Sequence, residues 1–373
     1  MHILHISKYT HPERGGIETF VKDLTKEQIR QGHTASVLCH HVKPLKKTDI
    51  RQIDGITVTR TGSFCNTAFA PLSPLFPLHF RREIRERPPQ IIHLHLPNPA
   101  VLFSAFFPTE IPLVIHWHAD VQGSPNKLIR ALYPTYRHFE QCSLKLSRHI
   151  IATSPPYLES SQSLNGWRNK CSVIPLGIGQ APCPPNNAIK KPEKPLFLSV
   201  GRFSFYKGFE HLVHAATLVP EADIIIAGDG PEHSRIAREV EKHNLSSRVL
   251  LPGKISDRQL TNLFQVATAF CLPSVDRGEA FGVVLLEAMR HGLPLVSTSI
   301  PGSGTSWVNQ NNITGKVVQP ASPEALAKAF KYIIKNPDKA VRYGQAGRQR
   351  LEDNFTITKI AQSITQIYQQ AVE

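Results

Sequence analysis

Glu279 and Glu287 stand eight residues apart in the run Glu279-Ala-Phe-Gly-Val-Val-Leu-Leu-Glu287, downstream of Val200-Gly201-Arg202-Phe203 and Lys207-Gly208. Ionised carboxylates accept hydrogen bonds from hydroxyls, and such charge-assisted bonds are among the strong ones. A guanidinium and an ammonium five residues apart, as Arg202 and Lys207 are, can both meet one diphosphate. The set suits a ligand that carries a diphosphate at one end and several hydroxyls at the other, as a nucleotide sugar does. It is neither the phosphate-cradling G-x-x-x-x-G-K-[ST] loop nor the dinucleotide G-x-G-x-x-G. Gly228-Asp229-Gly230 starts like the latter, but Pro231 follows, so it reads as a turn.

Three further groups could do chemistry. Gly15 and Gly16, in Glu13-Arg14-Gly15-Gly16-Ile17-Glu18, would let backbone N–H groups approach an anion at a helix start. His116 and His118, in Val114-Ile-His-Trp-His-Ala-Asp120, share one face of a strand, as do His93 and His95. No carboxylate or thiolate stands beside them at metal-ligand spacing, so the expectation is that they line a cleft and hold no metal. Finally, a helix starting near Phe281 would aim the N–H groups of Phe281, Gly282 and Val283 at phosphate oxygens. Glu287 would then sit two turns in, buried among Val283, Val284, Leu285, Leu286, Ala288 and Met289. A buried carboxylate costs several kcal/mol unless it is bonded to something, and a sugar hydroxyl would offset that.

Positioning these groups requires strands that end beside one another. Short apolar runs at Ile3–Ile6, Thr34–Leu38, Ile56–Arg60, Ile91–Leu94, Leu113–His116, His149–Thr153 and Val173–Pro175 alternate with helical stretches such as Ile17–Gln31. A second series runs from Leu196–Val200 to Gly315–Val318, including Ala269–Leu272 and a helix at Val283–Arg290. Alternation of this kind predicts α/β domains with parallel sheets, in which ligands bind outside the carboxyl ends of the strands. Between the series, residues 182–195 hold five prolines, two asparagines and three lysines. The expected organisation is a domain over 1–181, a linker over 182–195, a second domain over 196–355 and a closing helix over 356–373 that returns to the first domain.

At 373 residues the chain is too long for one ordinary core. Its N-terminus is too short and polar for a signal peptide, and no apolar run is long enough to span a bilayer. Six cysteines without a C-x-x-C pair point to no zinc site or disulfide framework, and the expected compartment is the cytoplasm. The net charge is +14, of which residues 1–185 carry +9. No nucleic-acid motif accompanies this excess, so a nucleic-acid partner is not expected. Phe64–Phe80, with Phe69, Leu72, Leu75, Phe76 and Leu78, precedes Arg81-Arg82-Glu83-Ile84-Arg85-Glu86-Arg87. It reads either as a loop for an anionic membrane and a lipid-linked acceptor or as a core-packing loop before a solvated helix.

Together, Gly201-Arg202, Lys207-Gly208, Glu279-Ala-Phe-Gly, Glu287-Ala-Met and Gly292-Leu-Pro294 resemble the retaining glycosyltransferases of family 4, many of them mannosyl- and rhamnosyltransferases of lipopolysaccharide and capsule synthesis. Gly15-Gly16-Ile-Glu18 and His116-Trp-His118-Ala-Asp120 extend the resemblance over the whole chain. The resemblance implies the GT-B fold, two doubly wound Rossmann-like domains facing across a cleft. It implies a hexosyltransferase using a nucleotide diphosphate sugar, with GDP-mannose favoured, on a glycan or lipid-linked acceptor, without a metal cofactor, in the cytoplasm or at the inner face of the cytoplasmic membrane. Arg202 and Lys207 would neutralise the diphosphate, helped by the amides of Phe281, Gly282 and Val283 and by Gly15 and Gly16, and Gly201 would be among the substrate-binding residues. Glu279 would hold the donor sugar, Glu287 the ribose, and Lys254 and Ile255 would lie against the base. His118 matches the position that contacts the sugar, His116 also fits the pattern, and Asp120 would orient the histidine or meet the acceptor. A sugar-nucleotide epimerase or phosphorylase, and a basic membrane or nucleic-acid binding module, are the alternatives.

Overall fold

The computed structural model describes residues 1–13, 15–67, 70–121, 127–181, 183 and 190–373. It divides into two compact units, Met1–Leu176 with Ile357–Glu373, and Gly177–Thr356. Half of the proline-rich stretch 182–195 lies outside the described residues.

The first unit is built on an eight-stranded sheet in the order β10-β9-β8-β7-β1-β2-β4-β3. Its strands are β1 (His2–Ile6), β2 (Thr34–His40), β3 (Asp49–Ile53), β4 (Ile56–Thr61), β7 (Ile91–Leu96), β8 (Leu113–Trp117), β9 (His149–Ala152) and β10 (Cys171–Val173). Pairing is parallel except between β3 and β4. The inner strands β1, β7 and β8 are buried almost throughout, as strands covered on both faces must be. The edge strand β3, with the sequence DIRQI, is largely exposed and was not expected from an apolar run. Helices α1 (Gly16–Arg30), α2 (Phe76–Glu86), α3 (Lys127–Leu146) and α4 (Pro155–Ser160) belong to this unit.

The segment expected as one apolar loop is split. It forms a hairpin of β5 (Cys65–Thr67) and β6 (Ala70–Leu72), then enters α2. Helical spacing puts Phe76 and Phe80 together in the core, whereas Phe64, Leu72, Leu75 and Leu78 remain exposed. Phe69 lies outside the described residues.

The second unit carries a six-stranded parallel sheet in the order β13-β12-β11-β14-β15-β16. The strands are β11 (Leu196–Val200), β12 (Asp223–Ala227), β13 (Val249–Leu250), β14 (Ala269–Leu272), β15 (Leu295–Thr298) and β16 (Gly315–Val318). Helices α5 (Phe209–Thr217), α6 (His233–Lys242), α7 (Asp257–Val266), α8 (Val283–Arg290), α9 (Thr305–Val308), α10 (Pro323–Lys335) and α11 (Pro337–Asn354) alternate with them. Phe197, Phe203, Phe209, Leu212, Ile224, Val296 and Phe330 form part of its core. The last helix, α12 (Ile357–Val372), packs on α1 and β8 of the first unit through Ile360, Ile364, Ile367 and Tyr368. Chain order reverses where β11 lies between β12 and β14, so the loops leaving β11 and β14 diverge and open a crevice at the strands' carboxyl ends.

Candidate active site

Both loops of that crevice carry the expected charges. After β11, Gly201–Gly208 makes a short helical turn that returns Lys207 toward the sheet; after β14, Pro273–Gly282 leads into α8. Lys207 Nζ donates to Glu279 Oε2 at 2.5 Å, and both side chains are only 10% exposed. Ser274 Oγ donates to the same Oε2 at 2.9 Å, so Glu279 Oε1 has no recorded partner among the described residues. Burial alone would lower the pKa of the Lys207 ammonium, but Glu279 beside it, with Tyr206 and Glu287, outweighs burial and holds it above the usual lysine value. The cation therefore stays charged at neutral pH. Arg202 is exposed and close enough to Tyr206 to act on its phenol, as are Lys207, Glu279 and Asp276.

The glycines here have definite geometric work. A Cβ on Gly201 would stand 3.1 Å from Lys207 Cε, so its absence leaves room for the lysine; the Gly201 N–H is already bonded to Ala227 O. Gly208 has φ +65, and a Cβ there would run into Pro273 O at 2.2 Å. Gly282, at φ +81, is the cap of α8. The helix thus begins at Val283, and its first turn opens at the crevice beside Phe281 and Gly282 with N–H groups that a helix cannot satisfy itself. Glu287 is half-buried rather than buried. The reason is periodicity: Leu285, Leu286, Ala288 and Met289 take the core face, while Glu287 shares the more open face with Val283 and Val284. The desolvation argument for a bound hydroxyl is correspondingly weaker. Exposed Lys254 and half-buried Ile255 follow β13, and Ile255 lines an apolar pocket of about 290 Å³ with Ile225, Leu250, Pro252 and Leu263.

In the first unit, strand register assembles a stack of histidines. His5 lies opposite His93, and His95 opposite His116, so alternation puts His5, His93, His95, His116 and His118 on one face, under Phe20 of α1 and Tyr368 of α12. All five are buried. Burial pushes His118 down to about 3 and His5 to about 4, the latter opposed by a bond to Gln28; burial and neighbouring histidines hold the other three well below the ordinary range. All are neutral imidazoles at pH 7. His118 Nε2 is bonded to His95 Nδ1 at 3.0 Å, while His118 Nδ1 and both nitrogens of His116 have no partner among the described residues. Asp120 accepts from the Trp117 indole at 2.9 Å and from Ser161 at 2.7 Å, and its N–H donates to Tyr157 Oη. Gly15 and Gly16 open α1, with the Glu18 carboxylate lying 2.2 Å from where a Gly15 Cβ would be. An anion at this helix start would have to displace that carboxylate.

A family model described as Glycosyl transferases group 1 matches residues 185–350, and one described as Glycosyltransferase Family 4 matches residues 14–179. The chain is 30% identical to the O-antigen chain mannosyltransferase C of Escherichia coli, over 100% of this chain and 99% of that protein. This chain is a group 1 glycosyltransferase. Among solved structures, the sucrose-phosphate synthase of Thermosynechococcus elongatus superposes with a TM-score of 0.81 at 23% identity over 99% of this chain and 98% of that one. An Anabaena protein solved with UDP-glucose, HepE, superposes with a TM-score of 0.73 at 18% identity over 99% and 100%. The glycosyltransferase therefore has the GT-B fold.

Several residues around the candidate sites of this glycosyltransferase escaped sequence reasoning. Gly228 and Gly230, read as a plain turn, pack backbone to backbone on the β11 loop: a Cβ on Gly228 would lie 1.9 Å from Gly201 O, and Phe203 N–H donates to Asp229 O. Two glycines one residue apart after a strand were the available signal. Ser303 Oγ donates to Glu279 O at 2.5 Å and Gly304 N–H to Ala280 O at 2.8 Å, tying the Glu279 loop to the turn after β15. Glu140 of α3 is buried, with burial pushing its carboxyl up to about 7 near Asp120. His5, Gln28 and Tyr368 come from three distant places in the sequence, and nothing local marked them.

Proposed function

We propose that this glycosyltransferase moves a hexose from a nucleotide diphosphate sugar, with retention of anomeric configuration and without a metal, to a glycan or lipid-linked acceptor in cell-surface polysaccharide synthesis. The observation that carries the reading is the buried Lys207–Glu279 pair set beside the start of α8. As the bond from anomeric carbon to phosphate loosens, the sugar becomes oxocarbenium-like and negative charge grows on the departing diphosphate. Lys207, Arg202 and the first N–H groups of α8 are placed to stabilise that charge, and they need no reorganisation to do so. Glu279 can accept a sugar hydroxyl at Oε1 while Oε2 keeps Lys207 and Ser274. Glu287 is assigned to the ribose, Lys254 and Ile255 to the base, and His118 Nδ1 to a substrate hydroxyl. The acceptor hydroxyl passes its proton to the leaving phosphate, so no enzymic nucleophile is called for.

Mannose from GDP-mannose is the first donor to test, because the relative from Escherichia coli is named as a mannosyltransferase and His116-Trp-His-Ala-Asp120 has the form seen in such enzymes. The Anabaena protein with UDP-glucose makes UDP-sugars the control. Release of nucleoside diphosphate is measured with a panel of GDP- and UDP-sugars and a lipid-linked saccharide. GDP-mannose is expected to give the highest kcat/KM, unchanged by EDTA, with an α-linked product. A UDP-sugar preference overturns the donor, an inverted product the stereochemistry, and loss of turnover restored by a divalent ion the metal-free chemistry.

A further inference from the structure

The buried histidines form part of a continuous chain of hydrogen bonds. His118 Nε2 meets His95 Nδ1 at 3.0 Å, His95 Nε2 meets His5 Nδ1 at 3.0 Å, and His5 Nε2 meets Gln28 Oε1 at 2.8 Å. Gln28 Nε2 donates to Tyr368 Oη at 3.1 Å, and Tyr368 Oη meets His93 Nδ1 at 2.5 Å. A neutral imidazole has one N–H and one bare nitrogen, so every link dictates the next. The Gln28 carbonyl oxygen can only accept, which puts the proton of His5 on Nε2. His5 Nδ1 is then bare and accepts from His95 Nε2–H; His95 Nδ1 is bare in turn and accepts from His118 Nε2–H. The chain ends on His118 Nδ1 as a lone pair, buried and without a partner among the described residues. At the other end the Tyr368 hydroxyl, kept protonated by burial, accepts from Gln28 and donates to His93 Nδ1. Turning the Gln28 amide over would reverse every link at once and put a proton on His118 Nδ1. Gln28, held by Tyr368, is therefore the point where the direction is set.

We propose that Gln28 and Tyr368 are positioning residues which, through His5 and His95, fix His118 as its Nε2–H tautomer, so that Nδ1 offers a lone pair to a donor-substrate hydroxyl. This rests on the reading of His118 as a substrate-contacting group. Its consequence is that two side chains on helices α1 and α12, neither bonded to His118, decide whether the site accepts or donates a hydrogen bond there.

The test is nitrogen-15 NMR of the full chain labelled at histidine, at pH 7.5, where the two tautomers have distinct ring-nitrogen shifts. His5, His95 and His118 are expected as Nε2–H in the wild type. Gln28→Leu, which removes the acceptor, and Tyr368→Phe, which frees the amide to turn, are expected to move the His118 signals toward a mixture of tautomers. They should lower kcat about tenfold, the scale of one lost hydrogen bond, with donor KM within about twofold. Gln28→Glu, again an acceptor toward His5, should restore the Nε2–H signature and most of kcat. Unchanged His118 signals in both Gln28→Leu and Tyr368→Phe overturn the proposal, as does one equivalent of zinc or iron in the purified protein with metal-shifted His95 and His118 signals. If the tautomer moves as expected but His118→Ala leaves kcat and KM unaltered, the chain stands on its spectra and the substrate role of His118 falls.

Discussion

Lys207 and Glu279 hold one another, so a simple loss of activity at either cannot tell support from chemistry. Removing one partner of a buried ion pair strands the other charge and costs about 3–5 kcal/mol. Glu279→Ala is therefore expected to lower Tm markedly as well as to abolish turnover. The paired variant Lys207→Met with Glu279→Leu strands no charge, only the Ser274 hydroxyl, and is expected to recover most of the Tm while turnover stays at least about a thousandfold down, in the range seen when preorganised charge is removed from a site. Thermal melts and donor kinetics on the same samples read both. Turnover returning with Tm would mean the pair only shapes the loop. The two residues were readable in the sequence as a cation and a carboxylate suited to a diphosphate sugar. That they pair with each other was not, because it depends on how the β11 and β14 loops approach, which Gly201 and Gly208 permit by what they lack.

Elements defined by local pattern came through closely: β11, β14, α8 and β16 have the expected ends, since each is an apolar run between turn residues. What escaped was set by distant partners or by exposure. The edge strand β3 has no apolar run to announce it, and Glu287 looked buried by its neighbours in sequence although helical periodicity turns it to the open face. Helix α2 shows the same effect usefully. Its core face takes Phe76 and Phe80, while Leu75 and Leu78 stay exposed with Arg81, Arg82 and Arg85 beside them. A helix with apolar and cationic groups on its outer side suits an anionic bilayer, at about 1 kcal/mol for each basic residue near the surface. Sedimentation with vesicles rich in phosphatidylglycerol is expected to pull down the protein at low salt. Replacing Arg82 and Arg85 with Gln together should weaken binding about tenfold or more, and Leu75→Ser with Leu78→Ser should weaken it further. Equal binding to neutral vesicles would assign the face to other work.

For the molecule as a whole, the five-histidine stack makes acid the point of weakness. Once unfolded, these imidazoles titrate near 6.5, but in the folded state burial holds His5 to about 4 and His118 to about 3, with His93, His95 and His116 also well below the ordinary range. Between those values the unfolded chain binds more protons than the native one, so stability falls as pH drops below about 6.5 and goes on falling toward the folded-state values. Each histidine contributes up to about 1.4 kcal/mol per pH unit, and five acting together approach about 7 kcal/mol per unit, which is comparable with the whole stability of a domain. Circular dichroism against pH is therefore expected to show a steep, many-proton unfolding transition near pH 5, carried by the first unit. His116 sharpens the expectation, because both its nitrogens are unpartnered among the described residues and its ring stacks on His118 at 4.3 Å. His116→Phe keeps the stacking and removes one titrating group without breaking a recorded hydrogen bond, so the acid midpoint should move to lower pH with a shallower slope. A midpoint that stays below pH 4 in the wild type, or one that His116→Phe leaves unmoved, would mean that the stack takes up its protons while folded.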